Sequence, residues 1–190
     1  MKRIFVILIM IFLLAISGYT ENVMYQAKDA TFYISASGGV SLPFGELSTI
    51  METGYTVRTY GAYLFQFDLF DLGLGGMTGF DYFSTRESVP SPYFIIAIPV
   101  AAHAQISSKF GLPFRLFAEV NAGASINTLF FQNDSTVLNS FRIFLQVAFG
   151  VGNDVSDLFN IAQFVGLTVI FFEDPVYVML NPGLRIEVKF

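Results

Sequence analysis

The feature that most constrains this chain is its last stretch. From Tyr177 to Phe190 apolar and polar residues alternate almost without fault. Leu180, Pro182, Leu184, Ile186, Val188 and Phe190 share one side; Asn181, Gly183, Arg185, Glu187 and Lys189 share the other. A period of two is the mark of a strand whose faces meet different environments.

Composition turns that local reading into a global one. The chain is 54% hydrophobic and 13% charged, with a mean hydropathy of +0.60, whereas soluble domains carry about 25% charged residues. Past the N-terminus no stretch offers the roughly 20 consecutive apolar residues of a membrane helix. Alternation and 16 Gly disperse the apolar residues instead. A chain this greasy without helical spans has one membrane solution, a closed barrel in which every backbone group is paired on the next strand. There is no Cys, so neither a disulfide nor a thiolate nucleophile is available.

The first residues read as export information. Lys2 and Arg3 precede the apolar run Ile4 to Ile16, and Ala15-Ile16-Ser17 supplies small residues for signal peptidase. Cleavage is expected after Ser17, or after Thr20. The alternative, an uncleaved anchor helix, is opposed by the shortness of the run. Loss of Lys2 and Arg3 takes the formal charge from −5 to −7. Residues 18–30 form a polar leader and 31–190 the barrel domain.

Eight strands are expected, separated by turn signals. They are Thr31–Leu42, Thr53–Phe67, Leu72–Phe83, Tyr93–Ile106, Phe114–Ile126, Ser140–Gly152, Ile161–Phe172 and Tyr177–Phe190. Pro99 within the fourth predicts a bulge or a shift of register. The faces of the seventh are not decided by its pattern. An even strand count brings both ends of the barrel to one side. On that side lie the turns Asp68–Asp71, Ser107–Pro113 and Asn153–Asn160. On the other lie Pro43–Glu52, Ser84–Pro92, Asn127–Asn139 and Glu173–Val176. Aromatic girdles are expected at both rims. Phe80, Tyr82, Tyr93, Phe94, Phe130, Phe131, Phe141, Phe171 and Phe172 mark one. Phe32, Phe65, Phe67, Phe110, Phe114, Phe149 and Phe190 mark the other.

A soluble barrel of lipocalin type is apolar inside and carries Lys, Glu and Asp outside. Here the polar face is mostly Gly, Ser, Asn, Gln and Thr, which suits a crowded interior. The whole pattern, from about Thr31 to the closing Ile186-Glu187-Val188-Lys189-Phe190, resembles the small eight-stranded bacterial outer-membrane β-barrels, such as the OmpA transmembrane domain, OmpX and OmpW. The resemblance implies an all-β, antiparallel up-and-down transmembrane barrel in the outer membrane of a diderm bacterium. It implies that Leu184, Ile186, Val188 and Phe190 form the signal read by the barrel-assembly machinery. Outer-membrane lipid is then the surrounding partner, the protein is a monomer, and a small hydrophobic ligand is a possibility only on the OmpW side of the family.

Nine charges fall on inward positions: Arg58, Asp68, Asp81, Arg115, Glu119, Arg142, Arg185, Glu187 and Lys189. Five cations against four anions are what a buried ion-pair network needs, and an eight-stranded barrel is just wide enough for its own side chains. A plug of salt bridges is therefore expected, with a selectivity lining as the alternative. His103, Gln105, Asn121 and Gln146 are the interior polar residues. His103, the one histidine, lies far from the rim at which a lipid-trimming barrel enzyme works, so no catalytic residue is assigned. One His and no Cys give no metal site, and Asp154 with Asp157 reads as backbone capping in a turn. No phosphate loop, nucleic-acid patch or cofactor motif is present. Glu46, Glu52, Glu87, Asp134, Glu173 and Asp174, offset by Arg86, make the outer face acidic. The function expected is a structural or surface-interaction role, with a channel for small hydrophobic molecules as the alternative and a lipid-modifying enzyme last.

Overall fold

A computed structural model describes residues 29–89, 92–108, 114–131, 137–171 and 176–190. The expected signal peptide lies outside them, as does the leader apart from Asp29 and Ala30. Those two residues already belong to the first strand.

The strands are β1 (Asp29–Pro43), β2 (Gly54–Gln66), β3 (Phe70–Ser84), β4 (Tyr93–Ser108), β5 (Arg115–Phe131), β6 (Val137–Ser156), β7 (Phe159–Phe171) and β8 (Tyr177–Lys189). Each pairs antiparallel with the next, and β1 pairs with β8 to close the ring. Tyr33 faces Lys189 across that seam, and the Phe190 amide donates to the Phe32 carbonyl at 2.8 Å. The near end of the barrel holds Asp29 and Phe190. The far end holds α1 (Leu47–Ile50), a single helical turn between β1 and β2.

Several expectations are corrected. The supposed loop Asn127–Asn139 is largely strand, because β5 runs on to Phe131 and β6 begins at Val137. Polar cross-strand pairs carry its inner part, with Thr128 Oγ1 donating to Asn139 Oδ1 at 2.8 Å, and the apolar pairs Leu129–Leu138 and Phe130–Val137 carry its outer part. Neither residues 127–131 nor residues 137–140 alternate polar with apolar, so the sequence pattern fades while the ladder continues. The turn at Asn153–Asn160 shrinks to Asp157 and Leu158 between β6 and β7, with a bulge between Asp154 and Ser156. Pro99 causes neither bulge nor shift. Thr78 pairs with Val100 on one side of it and Asp81 with Ala97 on the other, in one unbroken register. The proline only removes its own amide from the ladder.

The exterior of the barrel is apolar. Ile34, Val57, Tyr63, Val100, Ile126, Ile143, Phe149, Val165, Leu184 and Ile186 all point outward and are exposed, a continuous belt that no water-soluble barrel presents. Phe94 stacks on Phe130 at 4.7 Å and lies 5.9 Å from Tyr82 near the far rim. Phe32 lies 5.2 Å from Tyr63 and 6.5 Å from Phe190 near the other. Two expected girdle residues turn inward instead. Tyr93 shares the parity of buried Ile95 and packs on the interior cluster, with Phe131 5.8 Å away. Phe110 and Phe172 lie outside the described residues. The undecided strand β7 is settled: Asn160, Ala162, Phe164, Gly166, Thr168 and Ile170 face in, and Gln163 faces out.

The interior is divided. Toward the far end an apolar cluster that includes Leu47, Met51, Met77, Phe83, Phe144 and Met179 surrounds the buried Arg58–Asp81 pair. Polar groups and charges fill the middle and the near half almost entirely. The sequence reading assigned a polar face throughout. The apolar cluster departs from that expectation because Ile95 and Ile170 take inward positions within runs that are apolar on both faces, and Phe83 follows Asp81 on the inner face of β3.

Candidate functional site

Period-two geometry brings the inward residues of all eight strands to one axis. At mid-height Arg185 of β8 meets Glu119 of β5, Nη1 to Oε2, at 2.6 Å, with both side chains almost fully buried. Arg185 also donates to Gln105 Oε1 at 3.1 Å. Its guanidinium lies 4.4 Å from the ring centre of Tyr60, 5.1 Å from Phe117 and 5.4 Å from Phe164. A weakly hydrated, planar cation is the charge best suited to such a cage. Glycines in the wall leave space for the rings. A Cβ at Gly150 would stand 2.4 Å from Phe117 Cζ.

A polar chain crosses the lumen beside this pair. Tyr33 of β1 and His103 Nε2 of β4 are 2.8 Å apart, and His103 Nδ1 is 2.8 Å from Asn121 Oδ1. Asn121 Nδ2 donates to Glu119 Oε1 at 3.3 Å and to Gln146 Oε1 at 3.1 Å. His103, Gln105, Asn121 and Gln146 therefore join one network with Arg185 and Glu119. Both ring nitrogens of His103 are engaged within the wall, and the side chain is buried.

Nearer the far end, Arg58 of β2 and Asp81 of β3 form a second pair at 2.7 Å, equally buried. Arg58 also donates to the carbonyl of Val57 at 3.0 Å, and its guanidinium carbon stands 5.6 Å from the Phe144 ring centre. Arg142 sits on an inward position close to the far rim, half-buried, and donates to the Phe141 carbonyl at 3.1 Å.

A third group closes the near end. Asp154 Oδ2 accepts from Arg115 at 3.1 Å, while Asp154 Oδ1 lies 3.4 Å from Lys189 Nζ and accepts from Asn160 at 3.1 Å. Arg115 also reaches Asp71 at 3.5 Å. Glu187 is buried beside this group and lines a small cleft with Arg115 and Arg185. Two corrections follow. Asp68 is not a lumen charge; it lies exposed in the β2–β3 turn. Asp71 takes the inward place, because β3 begins at Phe70 and the Asp71, Gly73, Gly75 parity starts earlier than expected. Asp154 is an ion-pair acceptor on β6 rather than a turn cap.

Burial alone would raise the Asp154 carboxyl. Arg115, the Asn160 amide and Lys189 outweigh that effect and hold it below the usual carboxylate range. Among the described residues no group of three or more His, Asp or Glu could hold a metal ion. On the far face Glu46, Glu52 and Glu87 are exposed. Arg86 is exposed there as well, and its Nε lies 3.5 Å from the Met51 carbonyl. Asp134, Glu173 and Asp174 lie outside the described residues.

No family model matches this chain, and no curated protein matches it. Solved structures do. Neisserial surface protein A is 15% identical with a TM-score of 0.62, over 86% of this chain and 100% of that one. Ail, the attachment invasion locus protein of Yersinia pestis, solved with the heparin analogue sucrose octasulfate, is 15% identical with a TM-score of 0.53, over 85% and 97%. The chain thus has the fold of the small eight-stranded outer-membrane β-barrels, the architecture its sequence resembles.

Proposed function

We propose that this chain is an integral outer-membrane barrel of a diderm bacterium, exported through its signal peptide and inserted as a monomer. Its role is structural or surface-interacting, and its lumen is closed by its own side chains. One observation carries the reading: the Arg185–Glu119 pair, caged by Tyr60, Phe117 and Phe164, spans the lumen at mid-height beside the Tyr33–His103–Asn121 chain. A charge pair this buried is stable only where water and ions do not replace its partners.

Catalysis has no support in this arrangement. His103 is committed on both nitrogens to wall residues, and no open face presents it to a substrate. Passage of small apolar molecules is the second reading, and the apolar cluster toward the far end favours it. Such a molecule would still meet the Arg58–Asp81 pair beside that cluster and the Arg185–Glu119 pair below it. Fractionation of membranes, followed by single-channel recording on the purified protein in planar bilayers, tests the proposal. The expected result is outer-membrane recovery and no conductance. Steady ion-selective conductance would refute the closed lumen, and recovery in the inner membrane would refute the location.

A further inference from the structure

One polar side chain is out of place on the outer wall. Gln163 of β7 points outward and is exposed. Its outward neighbours along the strand, Ile161, Val165 and Leu167, are apolar and exposed. Across the ladder it pairs with Val151 of β6 and Leu184 of β8, both also outward and exposed. The residue beside it fixes its height. Phe164 turns inward and lies 5.4 Å from the Arg185 guanidinium, so Gln163 is level with the ion pair at the middle of the barrel. The other polar groups at this depth of the outer wall are provided for within the chain. Thr78 Oγ1 donates to the Pro99 carbonyl at 3.1 Å, and Thr59 Oγ1 reaches the Thr78 carbonyl at 3.5 Å. Among the described residues the Gln163 carboxamide has no such partner.

A carboxamide has two donors and an acceptor oxygen with two lone pairs. Mid-height in a bilayer is hydrocarbon, which satisfies none of them. Lipid headgroups lie at the rims, out of reach. A partner of matching chemistry is therefore another protein with an amide at the same depth. A second copy of this chain supplies one. Every copy stands the same way up in the membrane, and a twofold axis along the membrane normal brings each Gln163 to its mate at equal height. Two carboxamides so related exchange N–H and C=O, giving two hydrogen bonds from one residue type.

The wall beside Gln163 admits a close approach. A shallow groove of about 690 Å³ runs along it, with Pro182 and Gly38 on its low side. Gly38 is next to Leu184 across the β1–β8 seam, and a Cβ there would have no atom nearer than 3.9 Å. Small residues mark the faces through which membrane segments meet, and side-chain amides bond across them. A second outer groove, of about 610 Å³, lies over β3 to β6 and is lined by Leu72, Leu74 and Ala102. It has comparable shape but no outward polar side chain, so shape alone does not single out β7.

We propose that Gln163 is the centre of a homodimer contact, in which two barrels meet through β7 and their Gln163 carboxamides bond to each other inside the membrane. The contact rests on the membrane location proposed above. It goes beyond the monomer that the family resemblance implies: each barrel inserts singly and pairs afterwards. The plugged lumen takes no part in it.

Sedimentation of the purified protein in density-matched detergent is the first test. The parent should show a reversible monomer–dimer equilibrium. Gln163→Leu should raise its dissociation constant on the order of tenfold, the worth of a pair of side-chain hydrogen bonds within a membrane. A parent that is monomeric at every protein-to-detergent ratio overturns the proposal, and so does equal dimerisation of parent and variant. A second measurement keeps Gln163 in place. The chain has no Cys, so Val165→Cys and Leu74→Cys each carry a single thiol, to which a nitroxide is attached in urea before refolding into lipid vesicles. Dipolar coupling between copies should give a discrete distance from position 165, and a longer one from position 74 in the other groove. No coupling at 165, or the shorter distance at 74, overturns the proposal. Fractionation of the parent cells tells the two failures apart. Recovery outside the outer membrane overturns the location and the contact with it, whereas outer-membrane recovery without coupling overturns the contact alone.

Discussion

Arg185 and Glu119 meet at 2.6 Å in the middle of the barrel, from strands β8 and β5, with neither side chain reaching solvent. Removing one partner leaves the other charged and buried. Glu119→Leu should destabilise the protein by about 3–5 kcal/mol in urea unfolding from detergent. Adding Arg185→Met should recover part of the loss, because an apolar pair of similar volume is often tolerated. Equal stability of parent and single variant would mean that water already screens the pair.

The wall glycines separate two environments. Gly150 faces in, where a Cβ would stand 2.4 Å from both Phe117 Cζ and the Gln163 carbonyl. Gly150→Ala should cost about 1–3 kcal/mol, the usual penalty of overpacking. Gly76 faces out, and its nearest atom would be 3.9 Å away. Gly76→Ala should be neutral or stabilising by up to about 1 kcal/mol. Paired unfolding curves of the two variants check this, and identical effects would contradict the assigned faces.

The near-end cluster gives a pH dependence. Asp154 lies on the part of β6 past the apolar belt, where residues 153–156 are exposed, and its carboxyl is held below the usual range. A carboxyl depressed in the folded state contributes stability above its unfolded pKa of about 3.9 and loses it as pH falls through the folded value. The urea midpoint should therefore be flat above about pH 5 and fall below about pH 4. In Asp154→Asn that fall should be shallower. The effect is small, because the side chain is 44% exposed and solvent screens it.

Deleting Phe190 removes the hydrogen bond its amide donates to the Phe32 carbonyl and the ring packed 6.5 Å from Phe32. On the proposed assembly role of this residue, the variant should accumulate as protease-sensitive protein and lose the heat-modifiable shift in gels. Normal insertion in cells would separate Phe190 from assembly.

Strand number, closure and most inward charges were legible because a period of two survives wherever the two faces differ. It survives at Glu119 and Arg185, each flanked by outward apolar residues, and at Arg58, which follows outward Val57. The pattern failed where the faces are alike. Ile95 lies in a run that is greasy on both sides and Phe83 follows Asp81 on the inner face, so the apolar cluster stayed hidden. It failed again where β5 and β6 extend on two polar pairs followed by two apolar ones, with no alternation to mark them. Asp68 and Asp71 were exchanged because a strand start two residues earlier decides which of them enters the barrel. The seating of Leu47 and Met51 had no signal in alternation, since it depends on one turn of helix meeting a mouth built by distant strands.

The pairing of Tyr33 with Lys189 has a consequence for timing. The ring has no free edge only when its first and last strands are joined, and until then β1 and β8 both expose unpaired amides and carbonyls. No subset of the strands is self-sufficient, so the protein cannot be completed hairpin by hairpin as a repeat array can. That final seam is also the thinnest: Pro182 lacks an amide, and the ladder between β1 and β8 is broken between Gly39 and Leu42. Every molecule must therefore stay unfinished and prone to aggregate until its last strand arrives, and its survival over that interval depends on whatever shields the two open edges.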